Sequence, residues 1–269
     1  MTPDERPLAG DREDFWRDFL TRGHAAERMG RRVFRLIPHA PRCRLCAAPF
    51  AGPGAAVMRV FGKRQSDRNP NWCASCFEFM SRHHGGAEIE CTLLFADVRG
   101  STTLAEGMSA GEFSRLMDRF YDTAATVVFG HDGMVDKFVG DELVAVFFHL
   151  LSGERHAASA VDTARALLEA TGHRDPGGPW VPLGAGVHTA PTWIGAVGSE
   201  THTELTVLGD SVNTTARLAS AARAGEILVT KAAATAAGLD PSRERRQLEL
   251  KGKEQLTEVV ALTVGPTSG

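Results

Sequence analysis

Two aspartates stand where buried strands should end. In CTLLFADVRGSTTLAE, residues 91–106, Thr92 to Ala96 is an apolar run without polar alternation, as in a strand covered on both faces. It leads directly into Asp97, with Gly100, Ser101, Thr102 and Thr103 close behind. Asp141 lies in DKFVGDELVAVF, where Gly140 permits a tight hairpin turn that exposes the carboxylate at a strand end. If this hairpin lies beside the first strand, the two carboxylates converge at one sheet edge. Paired carboxylates with few other ligands suit Mg²⁺ or Mn²⁺, which take oxygen donors and keep positions open for substrate phosphate. The glycine and hydroxyls fit the same chemistry, because free N–H groups at a helix start attract phosphate. A helix cap at Asp97 and a plain turn residue at Asp141 are the alternatives.

A third polar element is LTVLGDSVNTTARL, residues 205–218. Asp210 or Ser211 is placed to cap a helix, and Asn213 and Arg217, at i and i+4, project from one face of it. The alternative is an ordinary solvated face.

Cys43-Arg-Leu-Cys46 and Cys73-Ala-Ser-Cys76 form two CxxC knuckles, which predict a structural Zn²⁺ site of the ribbon type; an iron–sulfur cluster uses the same ligands. The fifth cysteine, Cys91, opens the first apolar strand and is expected to be a small buried hydrophobe. His83 and His84 read as solvated hinge residues. The basic run RVFGKRQSDR, residues 59–68, is assigned to solvent, not to nucleic acid, in keeping with the acidic balance of the whole chain.

The elements that must position these groups follow from periodicity. Residues 1–42 carry Phe15, Phe19, Ala26 and Met29 at helical spacing. Residues 43–86 form the cysteine module, closed by Gly85-Gly86 as a hinge. Residues 87–265 alternate strands and helices: a strand over 88–97, a helix opened by the capping box Ser109/Glu112, the hairpin around Gly140, a helix over 154–171, and strands at VPLGAGVHTA, EILVT, RQLELKG and EVVALTV. A hairpin inside this mixture predicts an α+β sandwich with helices on the sheet, not a doubly wound parallel fold.

The chain has 269 residues, 43% hydrophobic and 23% charged, with a net charge of −3. These values describe a globular chain without a global drive toward nucleic acid or membrane. No apolar run approaches membrane-spanning length and the opening MTPDERPLAGDRED has no signal-like apolar core, so a cytoplasmic location is expected.

LLFADVRGST, DKFVGDELVAVF and LTVLGDSVNTTARL, in this order and at these separations, resemble the catalytic domain of class III nucleotidyl cyclases from about Glu88 to Val264. The resemblance implies a ferredoxin-like fold working as a head-to-tail homodimer. It implies that Asp97 and Asp141 hold two Mg²⁺ or Mn²⁺ ions, that Lys137 and Thr206 read adenine, that Asn213 orients the ribose, and that Arg217 stabilises charge at the α-phosphate. Adenylate cyclase activity on ATP follows as the expectation, with residues 1–86 open to an upstream regulator. Ala190, where the family usually has glycine, is expected to tighten a backbone turn. The alternatives are a guanylate cyclase, a diguanylate cyclase (VGDELVAV faintly resembles that family's hairpin) and an inactive nucleotide-binding module.

Overall fold

The computed structural model describes residues 9–23, 25–37, 41–199, 202–250 and 256–266. In the N-terminal third run α1 (Ala9–Thr21), α2 (Ala25–Leu36), α3 (Gly52–Val60) and α4 (Ala74–Arg82). Next come β1 (Gly85–Val98), α5 (Ser101–Glu106), α6 (Ala110–Gly130), β2 (Met134–Val139), β3 (Glu142–Phe147), α7 (His149–Ser152) and α8 (His156–Ala170). The chain closes with β4 (Leu183–Ser199), β5 (His202–Leu208), α9 (Asp210–Ala221), β6 (Glu226–Thr230), α10 (Lys231–Ala236), β7 (Arg245–Leu248) and β8 (Thr257–Thr263). The architecture is mixed α+β, as the pattern predicts. The segment 251–255, inside the closing strands expected from sequence, lies outside the described residues.

The chain divides into two compact units, Met1–Ile89 with Trp193–Leu208, and Glu90–Thr192 with Gly209–Gly269. In the first unit, α1 buries Trp16, Phe19 and Leu20. Trp16 Nε1 donates to the His83 carbonyl at the end of α4, at 3.0 Å, and Phe19 lies against Phe79 with ring centroids 4.8 Å apart. The two helices expected from Phe15, Phe19, Ala26 and Met29 are present; Phe19 is buried beside Trp16, while Phe15 and Met29 remain exposed. Ala26 lies where side chains are outside the described set. Gly85 and Gly86 are no hinge but the start of β1. A Cβ on Gly86 would fall 2.4 Å from the Ile194 carbonyl oxygen, so these glycines serve a close backbone crossing with β4.

In the second unit the strands lie in the order β2-β3-β1-β4-β6-β8-β7, with β5 paired to the outer end of β4 inside the first unit. The helix α6 opens with the expected capping box, Ser109 Oγ accepting from the Glu112 amide at 3.3 Å while Glu112 Oε2 accepts from the Ser109 amide at 2.8 Å. Its buried residues Met117, Phe120, Ala124 and Val128 join Leu94, Ala145, Phe147, Ala164 and Leu167 in one core. The strand β4 passes through Ala190 and Pro191 without a turn, contrary to the expectation for Ala190. A Cβ at Gly186 would meet the Ala219 backbone nitrogen at 2.6 Å, so the glycine lets α9 lie directly on β4.

His173 ties the end of α8 to β4. Its Nδ1 donates to the Leu168 carbonyl at 3.0 Å, and its Nε2 accepts from the Leu183 amide at 3.2 Å. Only the neutral ring can accept at Nε2, and burial lowers the pKa of His173 below its ordinary 6.5. A lowered folded pKa gives stability that is present above 6.5 and lost as pH falls through the folded value. The urea midpoint should therefore drop between pH 7 and pH 5, and His173→Gln should be less stable at pH 7 but show a shallower drop. An identical pH slope in the variant would remove His173 from this account.

Candidate functional site

Antiparallel pairing of β1 with β3 sets Asp97 opposite Glu142. Asp141 occupies the two-residue turn between β2 and β3, made possible by Gly140 at φ 60°. The Val98 amide donates to the Asp141 carbonyl at 3.3 Å, which draws the turn against the end of β1. The structure thus gathers Asp97 and Asp141 at one sheet edge and adds a third carboxylate, Glu142. Burial, and after it the charge of Asp141, raises the pKa of Glu142 to about 7, against the pull of Arg99. Arg99 ion-pairs with Asp97 and donates to the Ser220 carbonyl, at 2.8 Å, near the end of α9. Asp97 and Asp141 offer the oxygen-only chemistry that hard divalent cations take, while among the described residues only the cysteines form a cluster of three or more potential metal ligands.

Lys137 lies on β2 opposite Val144, just after a register irregularity between Val135 and Lys137. The bulged residue, Asp136, is buried, and its Oδ2 stands 3.4 Å from Lys137 Nζ. Sequence reading missed Asp136, Glu142 and Arg99. A buried acid inside an apolar strand was the available signal for Asp136. The helix α9 buries Ser211, Thr214, Thr215, Leu218 and Ala219, leaving Asn213 exposed and Arg217 half-buried on another face. Neither Asp210 nor Ser211 caps this helix. Gly209 does, at φ 125°, while Ser211 Oγ instead accepts from Thr192 Oγ1 at 2.8 Å. Thr206 is buried on β5 opposite Gly195, in the first unit, whereas the other five expected residues belong to the second.

In the first unit the ligand atoms of Cys43, Cys46, Cys73 and Cys76 all lie within 4.8 Å of one another, with Cys46 and Cys73 Sγ 3.7 Å apart. The first knuckle closes on the Ala47 amide donating to the Cys43 carbonyl, with Ala47 at φ 62°. In the second knuckle Cys73 caps α4 and Cys76 lies in its first turn. Hydrogen bonds from Cys43, Cys46 and Cys76 hold the Cys73 thiol far below its ordinary pKa, while contacts among the same thiols push Cys46 and Cys76 up. A tetrahedral ion with bonds of about 2.3 Å sets its sulfurs about 3.8 Å apart. The cluster has the size of one ion; the thiolates of a multi-iron cluster sit on different irons and stand farther apart. Cys91, outside this group, is buried as expected, and burial pushes its thiol up to about 12.

The family model for the adenylate and guanylate cyclase catalytic domain matches residues 86–262. Adenylate cyclase 1 of Rhizobium meliloti is 34% identical over 146 residues, which are 51% of this chain and 22% of that protein. The chain spans about a quarter of the length of the curated relatives it matches. Among solved structures, the guanylyl cyclase Cya2 superposes with a TM-score of 0.60 and 28% identity, over 67% of this chain and 95% of that one. The adenylyl cyclase CyaB from P. aeruginosa gives a TM-score of 0.58 over 66% of this chain and 95% of that one, and at 24% identity it speaks to the fold alone.

The carboxylate cluster makes a direct prediction. In the absence of divalent ions, Asp141→Asn should lower the Glu142 pKa from about 7 while leaving it above an ordinary carboxyl, because burial is the larger cause. Carboxyl-carbon NMR titration reads this shift. An unchanged Glu142 would mean that the two charges do not meet.

Proposed function

The chain belongs to the adenylate and guanylate cyclase catalytic domain family, and from that premise we propose that it is an adenylate cyclase converting ATP to 3′,5′-cyclic AMP and pyrophosphate. The observation that carries this reading is the convergence of Asp97 and Asp141 at one strand end, where the Val98 amide draws the Asp141 turn against β1. In the reaction the ribose 3′-oxygen bonds to the α-phosphorus, its proton leaves, and the bond from that phosphorus to the bridging oxygen breaks to release pyrophosphate. Asp97 and Asp141 would hold two Mg²⁺ or Mn²⁺ ions, which would neutralise phosphate charge and make the 3′-hydroxyl more acidic. Arg217 offers its planar fork of donors to oxygens that gain charge, and Asn213 orients the ribose. Lys137, steadied by Asp136, donates to N1 of adenine; in guanine N1 bears a hydrogen and opposes the same donor. Thr206 can donate or accept, so selection rests on Lys137.

The metal of the cysteine module is proposed to be Zn²⁺, on the single-ion spacing of the sulfurs and the all-thiolate set. The module's route to catalysis is α4. Cys73 and Cys76 begin this helix, and near its end Ser81 Oγ meets Thr203 Oγ1 at 3.4 Å on β5, three residues before Thr206. A regulator acting through residues 1–86 is proposed to work by this lever. No helix among the described residues is long and apolar enough to cross a membrane, and a cytoplasmic enzyme is proposed.

Two tests apply. Active sites are proposed to be shared across a homodimer, so Asp97→Ala and Arg217→Ala, each nearly inactive alone, should complement when mixed. One site of a mixed dimer carries both lesions and the other none, so free exchange restores roughly a quarter of the unmutated activity. A mixture as inactive as its components contradicts shared sites. Elemental analysis should find about one zinc per chain, lost in Cys73→Ser, with colourless protein. Brown protein containing labile sulfide would overturn the zinc assignment.

A further inference from the structure

The cysteine module presents a surface that neither the metal centre nor the cyclase reaction explains. The helix α3 buries Ala55 and Met58 and turns Val57, Val60 and Phe61 outward; Val60 is 83% and Phe61 67% exposed. This apolar tip is held in shape. Gly62, at φ 69°, reverses the chain, its amide donating to the Arg59 carbonyl at 3.1 Å and that of Lys63 to the Met58 carbonyl at 2.9 Å.

The reversal brings Lys63, Arg64 and Gln65 beside Arg59, around a cavity of about 350 Å³ that Phe50 and Ala55 also line. Residues 57–68 hold four cationic side chains, Arg59, Lys63, Arg64 and Arg68, against one acid, Asp67, in a chain whose overall charge is −3. Arg68 lies over the Phe77 ring, its guanidinium carbon 5.9 Å from the centroid, so the cavity wall takes its charge from the other three. Arg64 pairs with Asp67 at 3.2 Å, with both side chains largely exposed, a contact weak enough to yield to a competing anion.

We propose that this surface docks on an anionic phospholipid bilayer, with a headgroup phosphate in the Arg59–Lys63–Arg64 cavity and Val60 and Phe61 inserted at the acyl boundary. Balancing the charge of a four-thiolate metal site accounts for a nearby lysine but not for an adjacent, exposed Val-Phe pair. A soluble phosphate accounts for the cations alone. A bilayer matches both, since anionic phosphate lies directly above hydrocarbon at its surface. The sequence reading leaves residues 59–68 to solvent because linear order does not show that Arg59, Lys63 and Arg64 line one cavity. The proposal is independent of the cyclase reaction.

The test is cosedimentation of the full chain with vesicles of phosphatidylcholine, alone or with about 30 mol% phosphatidylglycerol. Binding is expected only with the anionic vesicles and should weaken as salt rises. Arg59→Gln should weaken it about fivefold. The double variant Val60→Ser/Phe61→Ser should weaken it by at least about tenfold, with the bound metal retained as proof of folding. Failure to bind anionic vesicles overturns the proposal. So does equal binding to neutral ones, or binding untouched by the serine variant, which would be diffuse electrostatics. If inorganic phosphate at moderate salt displaces the protein completely while sodium chloride of equal ionic strength does not, the cavity serves a soluble phosphate and the bilayer assignment is wrong.

Discussion

The pairing register between β1 and β3 is the constraint on which the candidate active site depends. With Thr92 opposite Phe147 and Asp97 opposite Glu142, every aliphatic residue of the paired segments is buried and their two acids, Asp97 and Glu142, fall at one end. A slip of one residue would turn each side chain to the opposite face and carry Asp97 away from Asp141. Both faces of this pair are covered, so it is the fit of each side chain into its own packed site, not exposure to water, that opposes the slip. The hydrophobic core therefore does more than stabilise the sheet. It also buries Glu142 beside Asp141, and that burial, with the Asp141 charge second, raises the Glu142 pKa to about 7. Arg99 offsets part of the repulsion and links the strand end to α9.

Much of this was legible in the sequence because the relevant rules are local. The capping box of α6, the glycine turn at Gly140 and the two CxxC knuckles each announce themselves within a few residues, and the structure contains all three. What escaped depends on distant partners. Asp210 and Ser211 were sound capping candidates by type, but Thr192 claims the Ser211 hydroxyl and Gly209 takes the cap with a positive φ. Gly85-Gly86 resembles a hinge until β4 arrives at backbone contact. Asp136 needed a bulge to become the partner of Lys137, and a bulge is set by the neighbouring strand.

Compactness also follows space and not chain order. The hairpin of Trp193–Leu208 groups with the cysteine module and α1, while the segments on either side of it belong to the catalytic unit. Thr206 therefore travels with the module's own strand, and α4 joins the metal knuckle at one end to β5 at the other. This arrangement ties residues 1–86 to β5 in a way that their position in the sequence does not suggest.

The central claim is that the Asp97/Asp141 edge of one copy, with Lys137 and Arg217 of a second, cyclises ATP. The most direct measurement is incubation of the purified chain with ATP or GTP in Mg²⁺ or Mn²⁺, with products separated and identified by chromatography and mass. The account predicts 3′,5′-cyclic AMP and pyrophosphate from ATP, strictly dependent on the divalent ion, and far less cyclic GMP from GTP. Equal conversion of both nucleotides would contradict the role of Lys137, and no cyclic product from either would contradict the claim itself.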